Sequence, residues 1–179
     1  MGERPDSTVV VESPEEARAL KTNGKPVAVI TQTTLSLDDV AETVDALGER
    51  FGDLKRPAAD DICYATQNRQ DAVKELATQG ATLILVIGSE TSSNARRLVE
   101  VAERHGATAL LIDGESGIDP ELLTGHETVG VTAGASTPEE LVALVLRGLA
   151  SFGFDELGEI EVARENVSFR LPREVTTPA

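Results

Sequence analysis

Thr82-Leu83-Ile84-Leu85-Val86-Ile87, followed by Gly88-Ser89-Glu90-Thr91-Ser92-Ser93-Asn94, is the stretch whose reading decides the fold. Six residues run without polar alternation, then a glycine and a hydroxyl-rich loop lead into an amphipathic segment. An apolar run of that length is expected of a strand covered on both faces, as in a parallel sheet flanked by helices. It is far too short to span a bilayer.

The rhythm repeats outward from this point. Short β-branched runs at 8–12, 27–31, 82–87, 108–112 and 127–131 alternate with amphipathic stretches, which predicts an α/β protein built from βα units around a mostly parallel sheet. Leu37, Val40, Val44, Leu47 and Phe51 fall on one helical face, and Ser36 with Asp39 forms a capping-box start for a helix over 36–51. Ser13-Pro14-Glu15-Glu16 and Thr137-Pro138-Glu139-Glu140 repeat one device, a hydroxyl before a proline and then a glutamate, and both are expected to open helices. Residues 52–61 lack periodicity, so a boundary is placed near 55–60: a partial α/β domain over 1–57, an α/β domain over 58–154, and an extended tail over 155–179. The first block offers only two strands and two helices, too few to cover both faces and the edges of a parallel sheet. It either leans on the second block or belongs to a domain whose earlier strands lie elsewhere.

A net charge of -15 excludes general affinity for nucleic acid, which depends on Lys and Arg against phosphate. With 3% aromatic residues and no tryptophan, base stacking is excluded as well. The first residues carry no basic-then-apolar signal, and no membrane association is expected, so the expected location is cytoplasmic. A single cysteine, Cys63, rules out an internal disulfide.

Ligands of open α/β sheets gather beyond the carboxyl ends of the strands, where helix N-termini present free N–H groups. Three loops have that placement: Thr31-Gln32-Thr33-Thr34-Leu35-Ser36, Gly88 to Asn94, and Thr132-Ala133-Gly134-Ala135-Ser136-Thr137. One hydroxyl per loop is accounted for by capping. Thr33, Thr34 and Ser36, or Ser92, Ser93 and Asn94, are a surplus, and neutral donors at helix N-termini can hold a phosphate or diphosphate without Lys or Arg nearby. No strand-linked GxGxxG or Walker pattern is present, which disfavours a dinucleotide or P-loop site. Cys63 falls in the first turn of a predicted helix capped by Asp60 or Asp61, where the dipole favours the thiolate; a buried inert thiol is an equal alternative. His105 and His126 lack zinc-ligand spacing with each other or with Cys63.

Four segments taken together resemble the LytB family of 4-hydroxy-3-methylbut-2-enyl diphosphate reductases. They are Thr31 to Ser36 with Asp38-Asp39; Asp60-Asp61-Ile62-Cys63-Tyr64-Ala65-Thr66-Gln67-Asn68-Arg69-Gln70; Gly88-Ser89 through Ser92-Ser93-Asn94; and Gly130-Val131-Thr132-Ala133-Gly134-Ala135-Ser136. The resemblance extends into the tail at Glu165-Asn166-Val167 and Leu171-Pro172-Arg173-Glu174. It implies a trefoil of three α/β domains around a 4Fe-4S cluster, of which this chain resembles part of the second and most of the third. The implied reaction is reductive removal of an allylic hydroxyl in the non-mevalonate route to isoprenoids, giving isopentenyl and dimethylallyl diphosphate, with a ferredoxin or flavodoxin as electron donor.

By the same resemblance, Cys63 is one of three cysteine ligands of the cluster with Thr66 beside it. Ser92, Ser93, Asn94 and Ser136 hold the diphosphate, and Thr33 and Thr34 line the site near the reacting hydroxyl, with Thr33 catalytic. Thr91 stands where the family commonly has Asn. The two further cysteines, the diphosphate-binding histidines and the proton-delivery glutamate of the family belong to an N-terminal segment without counterpart here. The chain is therefore expected to be a C-terminal portion that needs a complementing N-terminal segment to be active. The alternative is a cluster-free module that binds a diphosphate or a protein.

Overall fold

The protein is described here from a computed structural model covering residues 4–22, 24–56 and 62–163. The element order is α1 (Pro14–Ala19), α2 (Leu37–Arg50), α3 (Tyr64–Thr78), β1 (Leu83–Ile87), α4 (Ser93–Arg104), β2 (Thr108–Ile112), α5 (Pro120–Leu123), β3 (Val129–Ala133) and α6 (Glu139–Ser151), with short 3-10 turns at Pro5–Ser7 and Glu115–Gly117. The three strands form one sheet in the order β2-β1-β3, and both pairings are parallel. The α/β architecture expected from the strand and helix rhythm is the one found.

β1 is central, and all five of its side chains are buried. Its pleat divides them between two cores. Ile84 and Val86 join Val73 of α3 and Ala95, Leu98, Val101 and Ala102 of α4 on one face. Leu83, Leu85 and Ile87 join Ile112, Leu123, Val145 and Leu149 on the other, beneath α5 and α6. A strand sandwiched in this way has no solvent face, which is why its sequence shows no alternation. Each of the five β1 side chains contributes about 1.5–3 kcal/mol relative to exposure.

Several sequence expectations require correction. The strand expected at 127–131 lies two residues later, because pairing sets Leu83 opposite Val129 and Ile87 opposite Ala133. Neither 8–12 nor 27–31 forms a strand: among the described residues the first takes part in no ladder or bridge, and the second makes one parallel bridge, Ala28 to Lys55. Strand formation needs a neighbour, and the described residues offer these segments none beyond Lys55. Ser36 makes no side-chain cap bond and is buried. Thr137 is not the cap of α6 either, since Pro138 occupies that position; its hydroxyl donates instead to the Ile87 carbonyl at 3.0 Å. At α1 the device works as expected, with the Ser13 hydroxyl accepting from the Glu16 N–H. The predicted caps Asp60 and Asp61 and the tail motifs from Glu165 onward lie outside the described residues.

A third cluster, Ala17, Ala46 and Leu47 with Val11, Leu20, Val29, Phe51 and Leu54 packed against it, joins α1 to α2. Hydrogen bonds and an ion pair connect the N-terminal part to α3. Gln70 Nε2 donates to the Leu35 carbonyl at 3.1 Å, and Lys74 Nζ reaches Asp38 at 3.1 Å and Asp71 at 3.5 Å. Burial opposes the Lys74 charge, but the hydrogen bond and field of Asp38, with Asp71, outweigh it and hold the pKa above 10.5. A raised folded pKa stabilises fully below the unfolded value and loses that contribution as pH rises through the folded one. Lys74→Met is therefore expected to cost under about 1 kcal/mol near neutral pH. In urea titrations the gap should close as pH rises through the raised Lys74 pKa. A gap that persists there would assign the effect to packing of the lysine stem.

Candidate functional site

The candidate site forms where the carboxyl end of β1 meets the N-termini of α3 and α4. Gly88 follows β1 and its N–H donates to the Ile112 carbonyl at 2.9 Å. A Cβ at Gly88 would lie 2.7 Å from the Ala95 Cβ, so this glycine lets the first turn of α4 press against the strand end. Within the loop, the Ser89 hydroxyl contacts the Thr91 hydroxyl at 2.9 Å and accepts from the Thr91 N–H at 3.2 Å. Those two hydroxyls are occupied in shaping the turn. Ser92 is the true cap of α4, its Oγ accepting from the Ala95 N–H at 3.3 Å.

That leaves Ser93 and Asn94. Ser93 is exposed on the first helical position. Asn94 is only 8% exposed, yet among the described residues neither its Oδ1 nor its Nδ2 has a partner. An amide can make several hydrogen bonds, and burying it with none costs about 1–3 kcal/mol. Gly134, in the loop after β3, lies against this position: a Cβ there would sit 3.8 Å from Asn94 Nδ2 and 3.4 Å from Thr137 Oγ1. The Gly134 N–H and the Thr137 hydroxyl both donate to the Ile87 carbonyl, at 2.9 and 3.0 Å, which clamps the β3–α6 loop to the end of β1. Ser136 is exposed within the same turn, closed by the Thr137 N–H on the Gly134 carbonyl at 3.0 Å.

Cys63 is the N-cap residue of α3, one position before the expected first turn, and it is exposed. The buried inert thiol is thereby overturned. Its N–H donates to the Thr33 carbonyl at 3.2 Å, so the Thr31 to Ser36 loop is attached directly to the cysteine. Its own carbonyl accepts from the N–H groups of Thr66 and Gln67 at 2.9 and 3.0 Å. Thr66 is buried one turn into the helix, whereas Thr33 is exposed.

A cleft of about 220 Å³ brings Thr34 and Ser93 together, along with Gln32, Leu35, Arg96, Arg97 and Glu100. It connects the loop that holds Cys63 with the start of α4. The two arginines are a feature missed from the sequence, where hydroxyl donors alone were expected; they are legible as the pair after Asn94, one and two helical positions beyond Ala95. Arg97 is ion-paired with Glu100. The clamp made by Gln70 was also missed, because a glutamine inside a helix carries no signal of a partner 35 residues away. The site therefore has two groups, Thr33 with Cys63 and Thr66, and Ser92 to Asn94 beside Gly134, joined by a cleft.

A helix N-terminus without acidic residues in its first turn, as at α4, favours an anion. Among the described residues, no three His, Cys, Asp or Glu side chains come together as a metal site. Also among them, no helix is long and apolar enough to cross a membrane.

The family model described as LytB protein matches residues 1–150. The chain is 51% identical over 176 residues to 4-hydroxy-3-methylbut-2-enyl diphosphate reductase of Acidothermus cellulolyticus, a match that covers 97% of this chain and 52% of the relative. It is 49% identical to the protein of that name from Hahella chejuensis, covering 95% of this chain and 54% of the relative. The solved structure of the E-1-hydroxy-2-methyl-but-2-enyl-4-diphosphate reductase from Plasmodium falciparum is similar with a TM-score of 0.86 at 32% identity, over 96% of this chain and 55% of that one. The chain thus spans about half the length of the relatives it matches. With family model, relatives and fold in agreement, the chain belongs to the LytB family.

Proposed function

We propose that this chain is the diphosphate-holding portion of a 4-hydroxy-3-methylbut-2-enyl diphosphate reductase. The observation that carries the reading is the buried, unpartnered carboxamide of Asn94 at the N-terminus of α4. Diphosphate oxygens offer the acceptors its Nδ2 lacks, and the dipole of α4 adds attraction for their charge. Ser93, and Ser136 on the opposing turn, are placed to donate hydroxyls, while Ser92 holds the helix start in position. Thr34 lines the cleft next to Ser93, and Thr33 lies toward Cys63, the end at which the allylic hydroxyl would be bound.

An iron–sulfur cluster needs several thiolates, and this chain has one cysteine. The residues present do not fit a complete cluster. Cys63, exposed and fixed by its backbone to Thr33, suits a single ligand position, with Thr66 beside it; the remaining ligands would come from the half of the family sequence that this chain does not match. An electron donor of the ferredoxin or flavodoxin class would act on that assembled form.

Calorimetry of the 179-residue chain with 4-hydroxy-3-methylbut-2-enyl diphosphate tests the reading. Saturable heat should appear with the unmodified chain and vanish in the Ser92→Ala, Asn94→Ala double variant. No heat with the unmodified chain would remove the diphosphate assignment. Anaerobic mixing with the unmatched half of a relative should then produce visible cluster absorbance that Cys63→Ser abolishes.

A further inference from the structure

Among the described residues, two side chains carry polar atoms that are shut away from water without a partner: the Asn94 carboxamide and the partly buried Arg69, whose Nε makes no hydrogen bond. No carboxylate pairs with Arg69 among those residues, although the chain holds 31 acidic side chains against 16 Lys and Arg. Other partly shielded cations are matched: Lys74 faces Asp38 and Asp71, and Arg97 faces Glu100. A guanidinium keeps its charge at any accessible pH, so it cannot escape the cost of burial by losing a proton. An anion supplied from outside the chain would offset that cost.

The place of Arg69 in the fold says which anion. Arg69 stands one turn beyond Thr66 and two turns before Leu76, on the Leu76 side of α3, whereas Gln70 holds Leu35 on the other side. Leu76 packs against β3, its Cδ1 lying 3.4 Å from where a Gly130 Cβ would stand. The end of α3 returns through Ala81 to the start of β1, so the helix runs antiparallel to the three parallel strands. From Leu76 back to Arg69 the helix climbs about 10 Å, and from Gly130 to Gly134 the chain climbs about 13 Å in the same direction. Arg69 is therefore level with the end of β3 and the Gly134 turn that lies against Asn94. Long helical side chains lean toward the N-terminus of their helix, which carries the guanidinium further toward that turn. We propose that Arg69 is a further residue of the anion site, its guanidinium reaching the phosphoryl oxygens from α3 while Asn94 and the N-terminus of α4 approach them from the neighbouring helix. Of the two cleft arginines, Arg97 is committed to Glu100 and Arg96 is exposed, so neither supplies a shielded, unpaired charge. This role rests on the diphosphate reading and adds a cation to it.

The test is calorimetry of the full 179-residue chain with 4-hydroxy-3-methylbut-2-enyl diphosphate and with inorganic pyrophosphate, paired with thermal unfolding of the same preparations without ligand. Arg69→Met should weaken both ligands by at least about tenfold. Its melting temperature should stay the same or rise, because a charge without a counter-ion has been removed. Arg69→Lys, which keeps the charge but not the planar fork, should recover part of the lost affinity. Arg147→Gln removes an equal charge from an exposed position on α6 and should change affinity less than about twofold. The difference between the unmodified chain and Arg69→Met should persist in high salt, since a shielded charge is weakly screened. Equal affinity in Arg69→Met and the unmodified chain would overturn the inference and leave the diphosphate reading standing. A loss matched by Arg147→Gln would overturn it by making the effect one of net charge. A fall in melting temperature in both Arg69 variants would overturn it by assigning the guanidinium to the fold. No heat with either ligand in the unmodified chain would remove the diphosphate reading and this role together.

Discussion

Gly88→Ala should lower the stability of the chain by about 2–3 kcal/mol, a fall of roughly 4–12 °C in melting temperature. The new methyl would stand 2.7 Å from the Ala95 Cβ, an atom fixed to the backbone of α4 and unable to swing aside. Relief requires α4 to move away from β1, and Ala95 and Leu98 leave the core with it. The same displacement carries Asn94 away from Gly134, so diphosphate binding should weaken along with stability. Gly158→Ala is the matched control, since a Cβ there meets nothing within 4 Å and should change stability by less than about 0.5 kcal/mol. Thermal scans showing the two variants equally stable would mean that α4 does not depend on close contact with the strand end.

Asn94→Leu should separate stability from binding. Leucine has the same branching and number of heavy atoms as asparagine, with bulkier methyl ends, and it carries no polar atoms to be left without partners. Removing a carboxamide whose two polar atoms are buried and unpaired relieves a desolvation cost of about 1–3 kcal/mol, so the variant should be as stable as the unmodified chain or more so. Its affinity for the diphosphate should fall by about ten- to a hundredfold, the loss of one charge-assisted hydrogen bond of roughly 1.5–3 kcal/mol. Denaturant midpoints and calorimetry on the same preparations read both quantities. A clear loss of stability would show that the Asn94 amide serves the fold, and unchanged affinity would remove it from the anion site.

Local rules were sufficient for much of the fold. The unbroken apolar run Leu83 to Ile87 identified the central strand, and periodicity over 36–51 identified α2, which spans Leu37–Arg50. They failed where a backbone or side-chain partner is remote. The register of β3 depends on pairing with β1, and the hydroxyl of Thr137 is claimed by the Ile87 carbonyl 50 residues away. Residues 8–12 and 27–31 have every intrinsic mark of strands, yet strand character is a property of a pair.

At the candidate site the division is similar. Sequence by itself determined which residue types could bind an anion, that only one thiol exists, and which family the motif order resembles. Tertiary structure alone decided how those residues are used. Hydroxyls that look equivalent along the chain differ once packed: Ser89 and Thr91 shape a turn, Ser92 caps a helix, and Ser93 remains open beside Arg96. Asn94 became distinctive only when helix packing buried it without partners, and Cys63 only when it emerged exposed and bonded to the Thr33 backbone. The physical reason is that composition sets what a group can donate or accept, whereas burial and the nearest competing partner set whether that capacity is left for a ligand.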